Sequence, residues 1–398
     1  MNTMRTNSNG SASLNGSTNV NGNSNPQHPD PETVSQMLVD RLNAARASLA
    51  EHKLEALAVT TQHNRTYISG FTGSAGLALI TAHDARLLTD SRYYEQVARE
   101  APHFKLEKAS YQTWETLGKV LADLGISKVG FEGDAVSVNG LAAMRAKLPD
   151  VEWMATSGLI ELQRQAKSEQ ELAVIRTAVA LADCAMEHAY EVASPGMTER
   201  DLAWELEKFM REHGAQSMAF ELIVAAGENG ALPHHRPSDR VIQAGEPIVV
   251  DIGCTVDGYN SDLTRTFSIG PARDPDYLTV YNIVLEAIEH ATAQLKPGQT
   301  GIEADALARD VIKAAGYGDQ FGHSLGHGVG LNVHEGPRLS YSPENTTVMA
   351  AGQVVTLEPG IYLPNRFGVR IEDMVLVRDD GVEVLTGVKK VPVLAARG

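Results

Sequence analysis

Cysteine is almost missing from this 398-residue chain: Cys184 and Cys254 are the only two. Two thiols cannot make a disulfide framework in a protein of this size, so the chain reads as one built for a reducing compartment, the cytoplasm, with both thiols buried. Positive charge is also scarce. Lys and Arg number 34 against 50 Asp and Glu, a formal charge of −16. That balance excludes non-specific nucleic-acid binding, which rests on cations neutralising phosphates, and anionic membrane surfaces should repel the chain. No stretch approaches the ~18–20 apolar residues a membrane-spanning helix needs. The first 35 residues hold no apolar core for a signal peptide. Aromatics make up 6% of the residues, yet 43% are apolar, close to the globular average. At roughly 100–200 residues per domain, two or three domains are expected, the size of an enzyme.

Residues 1–32 are dominated by Asn, Ser, Gly and Thr. So little apolar surface cannot offset the entropy of ordering, which predicts a disordered tail. Apolar positions at helical spacing begin at Val34 and run to Ala50. Short apolar segments at 56–59, 77–80, 86–88 and 128–131 then alternate with helical patterns around 93–100 and 114–124. This alternation predicts an α/β domain over 33–158. A second domain, 159–398, opens with a helix over 167–192 whose apolar stripe is Leu172, Ile175, Ala178, Val179, Ala182 and Met186.

The second domain repeats itself. Glu187-His188-Ala189 returns as Glu289-His290-Ala291, Pro195-Gly196-Met197-Thr198 as Pro297-Gly298-Gln299-Thr300, and Gly214 as Gly316, all at an offset of 102 residues. Three matches in register predict two related halves packed face to face, with a ligand cleft at the seam.

Two hairpins carry acids inside apolar strands. In the first, Asp257-Gly258 is a turn signal, and Asp251 and Asp262 are expected as near cross-strand neighbours on one face. Their midpoint falls one residue short of Asp257-Gly258, so a bulge or longer loop is expected to hold that register. In the second, Glu358 and Glu372 flank a midpoint at Asn365. Four inward carboxylates would each cost several kcal/mol to bury ionised and unpaired. Either Arg and Lys compensate them or metal ions do. Arg370, two residues from Glu372, could neutralise only part of that charge, which favours divalent cations. The Gly-rich segment FGHSLGHGVGLNVHEGP adds His323, His327 and His334. Four carboxylates with one imidazole make an oxygen-rich set suited to Mn(II), Co(II) or Zn(II).

Each element alone has a plainer reading. An Asp pair on a hairpin is usually a solvated face, and an isolated histidine usually a hydrogen-bonded structural residue. His63, His83, His103, His188, His213 and His290 are given only that role. The Gly-rich segment lacks the lysine and spacing of a phosphate loop. Only the conjunction of hairpins, loop and repeat points to metal.

The segments DIGCTVDGYNSDLTRTF, FGHSLGHGVGLNVHEGP, TLEPGIY and GVRIEDMVLV resemble the pita-bread metallopeptidases that cleave before proline, the Xaa-Pro aminopeptidases and Xaa-Pro dipeptidases (prolidases). The resemblance covers residues 33–398. It implies a pita-bread catalytic domain preceded by a smaller creatinase-like N-terminal domain. Asp251, Asp262, His327, Glu358 and Glu372 would hold two divalent ions, manganese first, cobalt or zinc otherwise, with Asp262 and Glu372 bridging. His234 would contact substrate near the scissile bond, His334 the carbonyl oxygen, and His323 the proline side. Glu358 would exchange a proton with a metal-bridging hydroxide, and Arg370 would orient ligand carboxylates. Two segments, YISGFTGSAGLALI and LLTDSRYYEQ, look more like the aminopeptidase branch, which is the preferred expectation. Arg338 would instead grip a dipeptide's C-terminal carboxylate and favour prolidase. The resemblance also implies a homodimer acting on proline-containing peptides. A non-catalytic peptide-binding protein and a metal-free creatinase-type hydrolase are the competing readings, both disfavoured by five retained ligands.

Overall fold

The computed structural model describes residues 31–110 and 113–396. The tail expected over 1–32 falls outside them, save Pro31 and Glu32, which open a helix running to Glu51. No helix among the described residues is long and apolar enough to cross a membrane.

The first part of the chain folds around a six-stranded mixed sheet. Its spatial order is Lys105–Lys108, Ala85–Thr89, Leu77–Thr81, Ala56–Val59, Lys128–Glu132 and Glu152–Thr156. Period-two alternation serves both faces. Leu57, Val59, Ala78, Ile80 and Leu87 enter one apolar cluster, whereas Ala56, Ala58, Leu77, Leu79 and Leu88 enter another. Burial on both faces explains the continuous apolar runs of the central strands. The two edge strands and the helices Gln62–Ser69 and Val138–Lys147 lie beyond the sequence expectation.

From Glu169 the predicted repeat becomes visible as geometry. The helix Glu169–Val192 buries its whole expected stripe and starts with a capping box, Ser168 with Glu171. Helices Glu199–Glu212 and Gly301–Ala314 stand 102 residues apart and carry matching capping boxes, Thr198 with Asp201 and Thr300 with Glu303. Outside each cap the backbone is fastened alike: Gly196 N donates to Ile242 O, and Gly298 N to Met349 O. Each helix pair covers one sheet. The first covers Ile223–Ala226, Pro247–Ile252 and Leu263–Ile269; the second covers Gly326–Gly328, Val354–Leu357 and Asp373–Arg378.

Alternation again decides what faces where. Ile248, Val250 and Ile252 pack on the helices, so Val249 and Asp251 face the opposite way, toward the seam between the halves. Cys254 is buried in this core, but Cys184 is exposed on its helix, contrary to expectation. It lies just past the apolar stripe, beside Asp183, whose carboxylate accepts from the backbone of Gly387 and Val388.

Candidate active site

The two acidic hairpins reach the seam with different registers. In the first, Thr264 lies opposite Asp251 and Leu263 opposite Ile252; further out Thr255 meets Asn260 and Val256 meets Tyr259. Ser261 N donates to Cys254 O between these pairs, so no residue is inserted. The expected bulge is absent. Asp257 and Gly258, at φ 45° and 81°, close a two-residue turn of the type that matches strand twist. Asp251 and Asp262 are therefore diagonal rather than opposed, which removes the one-residue discrepancy.

The second hairpin keeps one register throughout, Leu357 against Asp373 and Gly360 against Arg370, which sets Glu358 opposite Glu372. A three-residue loop centred on Asn365, at φ 61°, joins the strands where expected. His327 comes from the short strand Gly326–Gly328. Its pairing with Glu335–Leu339 is irregular: His327 faces Arg338, yet Gly328 faces Glu335. Two extra residues thus loop out on the partner strand next to the site, a device that re-aims side chains. Gly328 must be glycine here, since a Cβ would sit 2.0 Å from the Gly336 carbonyl oxygen.

These elements line a cavity of about 390 Å³, in which all ten residues singled out from the sequence appear. None of the six histidines given a structural reading lines it. Asp251, Asp262 and Glu372 each place a carboxylate oxygen within a 4.8 Å cluster; Asp262, His327 and His334 form a second. His327 Nε2 stands 3.3 Å from Glu358 Oε1 and 3.7 Å from Asp262 Oδ2.

Arg370 offsets only part of the charge on its strand neighbour Glu372 and makes its direct hydrogen bonds elsewhere. It donates Nη2 to Asp251 Oδ2 at 2.6 Å, Nη1 to Tyr362 Oη at 2.9 Å and Nε to Thr264 Oγ1 at 3.1 Å. Thr264 Oγ1 passes its own hydrogen to Glu372 Oε2 at 2.7 Å. The acids therefore divide into two kinds. Burial presses Glu358 upward, but the hydrogen bond and charge of His327 outweigh it and bring the carboxyl down to about 2. Asp251 stays raised because burial exceeds the pull of Arg370. Asp262 and Glu372 are pushed well above the carboxylate range, first by burial and then by the neighbouring acids.

The donor set fits divalent cations. Asp251 Oδ1 is buried without a hydrogen-bond partner. His327 Nδ1 lies 3.2 Å from Gly328 O, and a carbonyl only accepts, so Nδ1 carries a hydrogen and Nε2 is the nitrogen aimed at the acids. Oxygen donors with one imidazole, converging on a point that one guanidinium only partly neutralises, match hard or borderline metal ions.

The sequence comparisons agree with this geometry. The model of metallopeptidase family M24 matches residues 173–379, and the creatinase/prolidase N-terminal domain matches 41–166. The chain belongs to metallopeptidase family M24. It is 38% identical over 337 residues to the Xaa-Pro dipeptidase of Pyrococcus horikoshii, covering 84% of this chain and 93% of that one. The Xaa-Pro dipeptidase from Bacillus anthracis superposes with a TM-score of 0.87 at 39% identity, over 90% of this chain and all of that one. The X-Pro aminopeptidase from Thermotoga maritima gives 0.81 at 36% identity, over 88% and 99%. The creatinase-type N-terminal domain and pita-bread C-terminal domain follow from these matches.

In this M24 metallopeptidase several residues around the site carry no motif of their own. Tyr362 links His323 Nε2, at 2.8 Å, to Arg370. Glu199, wholly buried, accepts from Ala226 N, Asn229, Ser238 and His235 Nε2, and so fastens the loop that bears His234. Glu199 looks like an ordinary first-turn acid of a helix. Only its burial reveals it, and burial is not written in a single sequence.

Proposed function

We propose that the protein is an Xaa-Pro dipeptidase, and the observation that carries this reading is Arg338. Its guanidinium is exposed on the cavity wall and makes no ion pair among the described residues. A cation directly opposite His327 on the neighbouring strand, with no ion pair of its own among the described residues, suits the terminal carboxylate of a two-residue substrate. The aminopeptidase preference rested on segments that have structural employment instead. Arg65 ties the carbonyls of Gly73 and Gly76, Asp90 pairs with Arg92 at 2.8 Å, and among the described residues none before Phe220 lines the cavity.

Asp251, Asp262, His327, Glu358 and Glu372 would hold two divalent ions, manganese by preference over cobalt or zinc, with Asp262 and Glu372 shared. Such ions supply the Lewis acidity that activates water and takes up developing oxyanion charge. The chain's own groups do the rest. Arg370 holds Asp251 in place. Glu358, ionised, accepts the proton of the attacking water. His334 is brought down to about 4 by burial and by the charges of His327 and Arg338, so it is neutral near pH 7 and offers an N–H to the carbonyl oxygen. His234 would meet the substrate near the scissile bond, and His323 would line the proline side. Proline's tertiary amide has no N–H to grip, so recognition must come from the shape of that pocket.

The same proposal divides the chain into a tail (1–32), an N-terminal domain (33–158) and a catalytic domain (159–398), working as a cytoplasmic homodimer. The free, exposed thiol of Cys184 suits a reducing compartment. The test is hydrolysis of Xaa-Pro dipeptides against Xaa-Pro tripeptides with added Mn(II). Dipeptides should be preferred, and Arg338→Ala should raise KM for the dipeptide by about 10–100-fold, the worth of a charge-assisted hydrogen bond. Equal cleavage of both lengths, with no effect of Arg338→Ala, would return the aminopeptidase reading.

A further inference from the structure

His334 has a demanding position and little of its own to hold it. Its side chain makes no hydrogen bond among the described residues; its one ring contact is the edge-on packing against His327, at 4.4 Å between centroids. The placement of the ring therefore depends on the backbone that leads into the strand Glu335–Leu339. The adjacent residue, Glu335, is anchored in the opposite direction. Its Oε1 accepts from Lys167 Nζ at 2.8 Å, and its Oε2 pairs with Arg164 Nη2 and accepts from Asn332 N at 3.3 Å. All three charged side chains are withdrawn from solvent, at 9%, 1% and 4% exposure for Glu335, Lys167 and Arg164.

The cations are themselves fixed. Lys167 Nζ also donates to the carbonyls of Arg164 and Gln165. Arg164 Nη1 donates to Asn64 Oδ1 at 2.7 Å, and Asn64 Nδ2 in turn donates to Glu132 Oε1 at 2.8 Å. Glu132 accepts from the backbone of Thr60 and Thr61. A continuous polar relay thus runs from the N-terminal sheet to the residue beside His334. There is no slack next to it, since a Cβ on Gly330 would sit 2.3 Å from Glu335 Oε1.

We infer that Glu335 is a positioning residue: its buried pairing with Lys167 and with Arg164, which Asn64 ties to the N-terminal domain, sets the place of His334. The inference rests on the reading of His334 as the donor to the substrate carbonyl. Glu335 touches no substrate and acts only through its neighbour.

The test is a cycle of Glu335→Gln and His334→Ala in the full chain, each loaded with Mn(II) and assayed on an Xaa-Pro dipeptide. Glu335→Gln should lower kcat by about tenfold or more when His334 is present, and less than about twofold in the His334→Ala background. Equal fold losses in both backgrounds would overturn the proposal and leave Glu335 a purely structural ion. Because Gln leaves two buried cations short of a partner, Glu335→Gln/Lys167→Met serves as the second variant. It should regain thermal stability but not kcat; regaining both would equally overturn the proposal. A crystal structure of the same double variant supplies a readout without turnover. His334 should leave its 4.4 Å contact with His327, and an unmoved ring sinks the inference. Absence of any Xaa-Pro hydrolysis by the unsubstituted protein would refute the proposed function while leaving this structural readout intact.

Discussion

The two acidic hairpins share a frame and differ in what they do with it. Each follows a matched helix pair, and each begins from a positive-φ glycine, Gly245 or Gly352, whose N–H closes on the partner strand at Ile269 or Val377. The first then sets its acids diagonally; the second sets them face to face. The partners are also crossed. Arg370 belongs to the second hairpin but serves Asp251 of the first, while His327 serves Glu358. That leaves one acid per hairpin without a hydrogen bond from a charged side chain, Asp262 and Glu372, both pushed well above their ordinary range by burial and by the neighbouring acids. Symmetry in the scaffold with asymmetry in charge gives a centre whose unpaired members, one from each half, are the two proposed to be shared between ions.

The strongest way to break this comparison is to delete an unpaired acid. Asp262→Ala or Glu372→Ala should reduce kcat by at least about 10²–10³-fold, while the metal-free fold stays intact or gains stability because repulsion is relieved. A Tm falling sharply in the metal-free variant would mean these acids contribute favourably to the fold.

Acidity offers the next test. Both unpaired carboxyls are raised in the folded metal-free protein, so that state holds protons the unfolded chain has released. Their contribution to stability is present below the unfolded range near pH 4 and is lost as pH rises through the folded values. Thermal scans of metal-free protein should show Tm declining as pH rises above about 5. Asp262→Asn should flatten the decline. Divalent metal should abolish it and release protons on binding, and a pH-independent Tm would contradict the charge division.

The crossed partnership can be probed through Arg370. Lysine keeps the charge but cannot hold Asp251, Tyr362 and Thr264 together, so Arg370→Lys should weaken metal binding by about 10–100-fold, measured by chelator competition. The smallest effect lies at the turns. Asn365→Ala places a poorly suited residue at positive φ and should cost about 1 kcal/mol without changing kcat, because the loop stands at the far end of its hairpin.

The acids, the central strands and the helical repeat were legible because each is a periodic or repeated pattern. Asp251 could be assigned to the seam from alternation alone. The edge strand Lys105–Lys108 was not legible, because Lys-Leu-Glu-Lys alternates polar residues on a solvated rim and carries no apolar run. The register of the first hairpin was misjudged by assuming that two cooperating acids must be directly opposed. Arg370's choice of Asp251 over Glu372, and the burial of Glu199 and Glu335, depend on which segments the tertiary fold brings together. No local pattern records that.

His323 illustrates what such placement achieves. Its Nδ1 gives a hydrogen to the Ser324 carbonyl, and its Nε2 takes one from the Tyr362 hydroxyl. With both nitrogens occupied, the imidazole has no lone pair left for an ion and no proton to trade. What it offers the cavity is the carbon edge and the flat side of a ring. A residue type usually valued for its reactivity is here used as a small, rigid piece of oily wall, suited to a saturated five-membered ring.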